Sequence, residues 1–147
     1  LALKPEHVEV IRNAMHGVTV EGTSAKVFAG ASYSSGGKTG TAQAVGLRAG
    51  EKYSSVKADE HKRDHSLYVA FAPTDNPTIA LAVIVENAGW GSGSAAPIAR
   101  RVFDYWLSGQ YPTDEDLAAV RKGQAMAPLG KPRDAKEVPW PRVPLPN

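Results

Sequence analysis

Residues 34–43 read Ser-Ser-Gly-Gly-Lys-Thr-Gly-Thr-Ala-Gln, SSGGKTGTAQ, and the fold turns on what this stretch is. Glycine-rich GKT is how a phosphate-binding loop begins. Such a loop needs a glycine five residues before the Gly-Lys pair, so that backbone amides curl around phosphate, and a helix directly after it. Counting back from Gly37 lands on Ser32, and Gly30 is two residues too far. The sequence from Thr41 (TAQAV) continues like a strand, without a cap. Residues 32–45 are therefore expected to be extended. Gly36, Gly37, Gly40 and Gly46 would weaken an interior strand, and mark places where another backbone or a ligand comes close.

Working outward, a helix is predicted from Pro5, with Val8, Ile11, Ala14 and Met15 on one face and Gly17 as terminator. VEGTSAKVF (20–28) reads as a turn-rich connection, and Arg48 to Asp64 is polar. Leu67–Ala72 and Thr78–Glu86 are strand-like and flank Pro73–Pro77 (PTDNP), whose chemistry suits a tight turn; they should form an antiparallel hairpin. TIALAVIVE (78–86) is apolar in both registers, so both sides of the sheet should be covered. After GWGSGS (89–94), Pro97 opens a helix to Leu107. Ile98, Val102 and Trp106 form one stripe, Ala99, Phe103 and Leu107 lie beside it, and Gly109 ends it. Thr113 with Asp116 makes a capping-box start for DEDLAAVRK. The expectation is an α+β fold: a three-stranded antiparallel sheet with covering helices over residues 1–126. Residues 127–147, rich in proline, should form an extended or disordered tail.

Composition bounds the function. A chain of 147 residues with 42% apolar and 22% charged residues suits one soluble domain with a real core. A net charge of +2 gives no electrostatic case for nucleic acid or an anionic membrane. The longest apolar run, Ile79 to Val85, is too short to span a bilayer. A start at Leu1 suggests a piece of something longer, so missing targeting signals say little. With no cysteine, disulfides and thiolate chemistry are excluded.

An extended Lys-Thr-Gly offers three things that acyl transfer on a peptide needs. Lysine gives a fixed positive charge that stabilises a carboxylate and assists proton movement. Threonine hydroxyls hold a carboxylate. Glycine lets a substrate lie along the strand and leaves a backbone amide for an oxyanion. For KTG alone, a glycine-rich edge strand with an exposed lysine is explanation enough.

The neighbours change this. GGKTGTAQ, the preceding VEGTS, the following LYVAFAPTDNPTIALAVIVENAG and AAPIARRVFDYWL resemble, in order and spacing, the C-terminal part of a penicillin-binding transpeptidase domain. The likeness runs from about Lys4 to Leu107 and is nearest the class B, elongation-type penicillin-binding protein 2 group. It implies part of the penicillin-binding/serine β-lactamase-like transpeptidase fold, with the KTG strand bordering the active-site cleft. By the same resemblance, Lys38 would bring positive charge beside the catalytic serine. Thr39 and Thr41 would meet the carboxylate of a D-alanyl terminus or of a penicillin, with Gly40 between them. The Thr41 N–H would be an oxyanion donor, and Gln43 would touch substrate. The implied partners are the peptidoglycan stem peptide and β-lactams, with no cofactor, no metal and no nucleic acid. The parent would be anchored in the inner membrane and face the periplasm, its anchor lying outside this chain.

The family's S-x-x-K and S-x-N motifs are not matched in order. No S-x-N occurs in the chain. Ser35-Gly36-Gly37-Lys38 overlaps KTG, and Ser54-Ser55-Val56-Lys57 follows it; neither continues as an apolar helix. The chain would thus carry one wall of a site and be inactive alone. A non-catalytic interaction module using the proline-rich tail, and a nucleotide-binding protein, are the other readings. His61 and His65 have zinc-protease spacing, but Lys62 stands where glutamate is required. Asp114, Glu115 and Asp116 at a helix start are explained by the helix dipole. Trp90 reads either as a binding aromatic or as a loop residue packed over the sheet, and the serines beside it as helix caps. Lacking strands from elsewhere in the domain, Thr78–Glu86 should present an unpaired edge and self-associate, or be disordered nearby.

Overall fold

The computed structural model describes residues 3–47, 49–50, 52, 54, 57 and 59–138. Three strands form an antiparallel sheet in sequence order: β1 (Gly36–Ala42), β2 (His65–Ala72) and β3 (Ile79–Val85). Thr39 stands opposite Tyr68, and Tyr68 opposite Val83. Because side chains alternate across a strand, Ser66, Tyr68, Ala70 and Ala72 share one buried face, while Leu67, Val69 and Phe71 point the other way. The hairpin connection at 73–78 closes with the Thr78 amide on the Ala72 carbonyl, 3.0 Å. Thr74 donates through its amide and hydroxyl to Ser34 Oγ (3.0 and 2.7 Å), tying the connection to the chain entering β1.

The α-helices with described bounds are α1 (Pro5–Val20), α2 (Ala25–Phe28), α3 (Ala95–Ser108) and α4 (Asp114–Arg121). Val27 and Phe28 of α2 and Ala95, Ala96, Ala99 and Phe103 of α3 close over the buried face, making the core with Tyr68, Ala70 and Ala72. The alanines let α3 come close to the sheet, and the three aromatics fill the remaining depth: Phe28 lies 6.1 Å from Tyr68 and 6.4 Å from Phe103. Gly109 ends α3 in the left-handed region, its amide returning to the last turn.

Several expectations are corrected. Helix α1 continues through Gly17 to Val20, and it is the Gly17 carbonyl that accepts the Glu21 and Gly22 amides at its end. An interior glycine costs about 1 kcal/mol, which is offset where His16 and Thr19 bond the Ser35 carbonyl (2.8 and 2.7 Å). Val8, Ile11 and Ala14 of its expected apolar face are exposed. The connection 20–28 contains α2. The sheet is not covered on both sides: Ile84 is 65% exposed, and Val69 also faces outward. Along β3 exposure alternates: Ile79, Leu81, Val83 and Val85 pack against the core, while Ala80, Ala82 and Ile84 are exposed. The core stripe of α3 is Ala99 and Phe103, whereas Val102 and Trp106 are exposed. From Ala127 to Val138 the chain is docked: β4 (Gln110–Tyr111) pairs with β5 (Arg133–Asp134). Residues 139–147 of the expected tail lie outside the described residues.

Two consecutive arginines on α3 hold the flanking segments. The Arg100 Nε pairs with both Asp104 oxygens (2.8 and 3.0 Å), while its Nη1 donates to the Val27 and Ala29 carbonyls (3.0 Å each). These carbonyls lie at the end of α2, where intrahelical partners run out. Tyr33 donates to Asp104 Oδ1 at 2.8 Å. Burial pushes the Tyr33 hydroxyl well above its usual range, and the Asp104 charge adds to the effect.

Arg101 grips the other side. It makes two bonds to Asp116 (2.9 and 2.5 Å) and one to the Met126 carbonyl (2.7 Å). Asp116 is therefore more than a dipole complement. Its carboxylate is buried, paired with Arg101, and accepts the Leu129 amide at 2.8 Å. Thr113 caps α4, its Oγ1 accepting the Asp116 amide at 3.1 Å. Burial alone would raise the Asp116 pKa, but the Arg101 and Leu129 hydrogen bonds outweigh it and hold the carboxyl below its usual range.

Removing either partner would leave a buried charge uncompensated. Asp116→Ala or Arg101→Ala should cost about 3–5 kcal/mol, read from urea unfolding. Since Asp116 ionises more readily in the folded chain, its contribution is complete above the ordinary carboxylate pKa. It should disappear as pH falls below about 4. Asp116→Asn should remove that part of the acid dependence.

Candidate active site

Among the described residues strand β1 pairs only with β2, and no strand lies along its other edge. Its position is set at the two glycines before Lys38. A methyl on Gly37 would lie 2.1 Å from the Tyr68 hydroxyl oxygen, and one on Gly36 would lie 2.6 Å from the Phe71 ring and 3.3 Å from Met15. Neighbours from both sides therefore press onto bare backbone. Tyr68 is wholly buried and its hydroxyl meets Ser24 Oγ at 2.9 Å. Burial raises the Tyr68 pKa despite that hydrogen bond, so the hydroxyl stays neutral.

Beyond the glycines the side chains alternate. Lys38 is exposed and shares the outer face with Val69, its Nζ donating to the Thr39 carbonyl at 2.7 Å. Thr39 and Thr41 are in register with Tyr68 and Ser66 and so share the opposite face. Thr39 is half-buried, with its hydroxyl 3.1 Å from that of Thr23. Gly91 lies against the strand: a methyl there would be 2.5 Å from the Leu67 carbonyl oxygen and 2.6 Å from that of Gly40. The loop is held from below by Ser66, which donates to the Trp90 carbonyl and accepts the Ala95 amide, 3.0 Å each.

Comparison with known proteins gives the same assignment. The family model for the penicillin binding protein transpeptidase domain matches residues 1–104. The chain belongs to this transpeptidase family. Peptidoglycan D,D-transpeptidase MrdA of Haemophilus influenzae is 43% identical over 109 residues, 73% of this chain and 17% of that protein. MrdA of Acinetobacter baumannii is 52% identical over 75 residues, 51% of this chain and 11% of that protein. Among solved structures, Pseudomonas aeruginosa PBP2 in complex with WCK 5153 superposes with a TM-score of 0.58 at 39% identity, over 73% of this chain and 20% of that one. PBPA of Mycobacterium tuberculosis gives 0.52 at 30% identity, over 72% and 23%. The chain thus spans about a sixth of the length of the MrdA relatives it matches over most of its length.

In this transpeptidase segment Lys38, Thr39, Gly40 and Thr41 all lie on β1, while Gln43 follows it and is exposed. The phosphate-loop reading falls: β1 runs through the motif to Ala42, and no helix opens after Lys38. Ser35 and Lys38 are three apart in extended chain and so face opposite ways. Ser35 is buried. Residues 55 and 56 of the second S-x-x-K string are outside the described residues. His65 Nδ1 accepts the Asn87 amide at 3.0 Å, giving this ring a structural partner. Trp90 does not pack on the sheet, being 73% exposed. The loop serines do not cap α3 through their side chains; Ser94 donates to the Ala88 carbonyl, and Ser66 takes the cap. Sequence reading missed Thr23, Ser66, Tyr68 and Gly91. Only the glycine of GWGSGS and the hydroxyls of VEGTS hinted at a role.

Gly37→Ala should cost about 1–3 kcal/mol by overpacking against Tyr68. Pairing it with Tyr68→Leu should recover part of that cost. A double-mutant cycle by chemical unfolding is expected to give a coupling above about 0.5 kcal/mol.

Proposed function

We propose that this chain supplies the Lys38-Thr39-Gly40 wall of a peptidoglycan D,D-transpeptidase, and that acyl transfer requires the remainder of that enzyme. The observation that carries this is KTGT on a strand paired along one edge among the described residues: two hydroxyls on one face, a lysine on the other and glycine between. The strand lies in a chain that matches the transpeptidase model over residues 1–104.

In this reading a serine elsewhere in the enzyme attacks the penultimate D-alanine carbonyl of a stem peptide. The carbon–nitrogen bond to the last D-alanine breaks, and the serine proton passes to the leaving amine. Thr39 and Thr41 hold the terminal carboxylate, which a penicillin mimics. The Thr41 N–H stabilises the oxyanion, an interaction worth about 10²–10³ in rate. Lys38 keeps the proton-transfer groups beside it poised, and Gln43 contacts substrate past the motif. The parent works on the periplasmic face of the inner membrane; among the described residues no helix is long and apolar enough to cross a membrane. The free edge of β3, completed by other strands in the parent, pairs with a second copy when this chain stands alone.

Intact-mass measurement of this chain after incubation with a penicillin should show no adduct. A stoichiometric adduct would overturn its inactivity, and mapping it would find the serine. In the complete enzyme Lys38→Ala should slow penicillin acylation by about 10²–10⁴. An unchanged rate would remove Lys38 from the chemistry. Sedimentation of this chain should show concentration-dependent association; a strict monomer would exclude pairing through β3.

A further inference from the structure

We propose that Thr23 is a positioning residue that turns the Thr39 hydroxyl into a donor toward an anionic group on the ligand, an inference resting on the transpeptidase reading above. The two hydroxyl oxygens are 3.1 Å apart. Each hydroxyl has one proton and two lone pairs, so the contact can be polarised in two ways. With Thr39 as donor, its proton is spent on Thr23 and only lone pairs face outward, which repel a carboxylate. With Thr23 as donor, the Thr39 lone pair is occupied and its proton is free for the ligand. A carboxylate only accepts, so its arrival selects the order Thr23 to Thr39 to ligand. The charge at the end of the chain then strengthens both bonds.

The position of Thr23 is fixed rather than incidental. It lies in the connection between α1 and α2, where a methyl on Gly22 would come within 2.7 Å of the Val18 Cα. On its other side Ser24 is wholly buried, with its amide and its hydroxyl both on the Val18 carbonyl at 3.1 Å. Ser24 Oγ also meets the Tyr68 hydroxyl at 2.9 Å. Tyr68 stands opposite Thr39 in the sheet and fills the space beneath Gly37. One buried side chain therefore sets both the strand that carries Thr39 and the loop that carries Thr23. Thr39 is half-buried and Thr23 exposed, so the pair lies where a ligand can reach it.

The test uses the complete transpeptidase containing this segment, acylated by a penicillin and by the same penicillin with its carboxylate methylated. Thr23→Val should slow acylation by the free acid about three- to tenfold and leave the ester unaffected, while Thr23→Ser keeps the wild-type ratio. Thr23→Ala serves should the valine variant not fold, as judged by its thermal melt. An equal loss with both probes would make Thr23 a structural buttress, and no loss with either would leave it idle. Either result overturns the proposal while the transpeptidase reading stands. A wild-type enzyme that gains no penicillin adduct would instead overturn that reading and this inference with it.

Discussion

The rest of the structure depends on the Tyr68 side chain lying where a Cβ at position 37 would be. Its ring forms the floor of the core with Phe28, and its hydroxyl, buried and neutral, is held by Ser24. A buried hydroxyl without a partner costs about 1–3 kcal/mol, so Tyr68 cannot shift without losing Ser24, and Ser24 cannot shift without losing the end of α1. The β1 backbone rests directly on this assembly. Any side chain at 37 would lift the strand, and the lysine and threonines that follow would move with it. The glycines before the motif are thus as important to its geometry as the motif is to its chemistry.

A second constraint is the pair of arginines on α3. Burying a guanidinium is expensive, and the cost is met only when geometry is good and the remaining donors are used. Arg100 uses its donors on Asp104 and on the carbonyls that close α2, and its guanidinium carbon lies 5.9 Å from the Phe28 and Tyr33 ring centres. Arg101 points the other way, to Asp116 and the Met126 carbonyl. Neighbouring residues on one helix therefore anchor the run that leads into β1 and the segment beyond residue 104, where the family match ends. Arg101 ties that segment to α3 through Asp116 and the Met126 carbonyl, so this attachment weakens as acid protonates Asp116.

Much of the architecture was legible in the residues. The strand-like runs Leu67–Ala72 and Thr78–Glu86 on either side of Pro73–Pro77 marked the hairpin, Gly109 marked the end of α3, and Thr113 marked the start of α4. Helix α1 was misread at Gly17 because a glycine signals a stop only when nothing beyond it packs, and His16 and Thr19 do pack, on the Ser35 carbonyl. The run Thr78–Glu86 was read as covered on both sides because its composition does not say how much of the surrounding fold is at hand. Asp116 looked like one of three interchangeable acids, since the arginine that singles it out is fifteen residues away in the chain.

What the sequence alone determined was the motif and its setting. KTGT in extended chain, a hairpin and a helix to cover it follow from glycine placement, side-chain period and turn chemistry, all local properties of a few consecutive residues. What only the tertiary structure decided was how that motif is aimed. Thr23 reaches Thr39, Gly91 closes on Gly40, and Tyr68 sets the height of the strand through contacts between residues 16 to 51 positions apart. Such contacts leave no periodic trace, because each depends on a single atom meeting another at the right distance once the backbone has already folded.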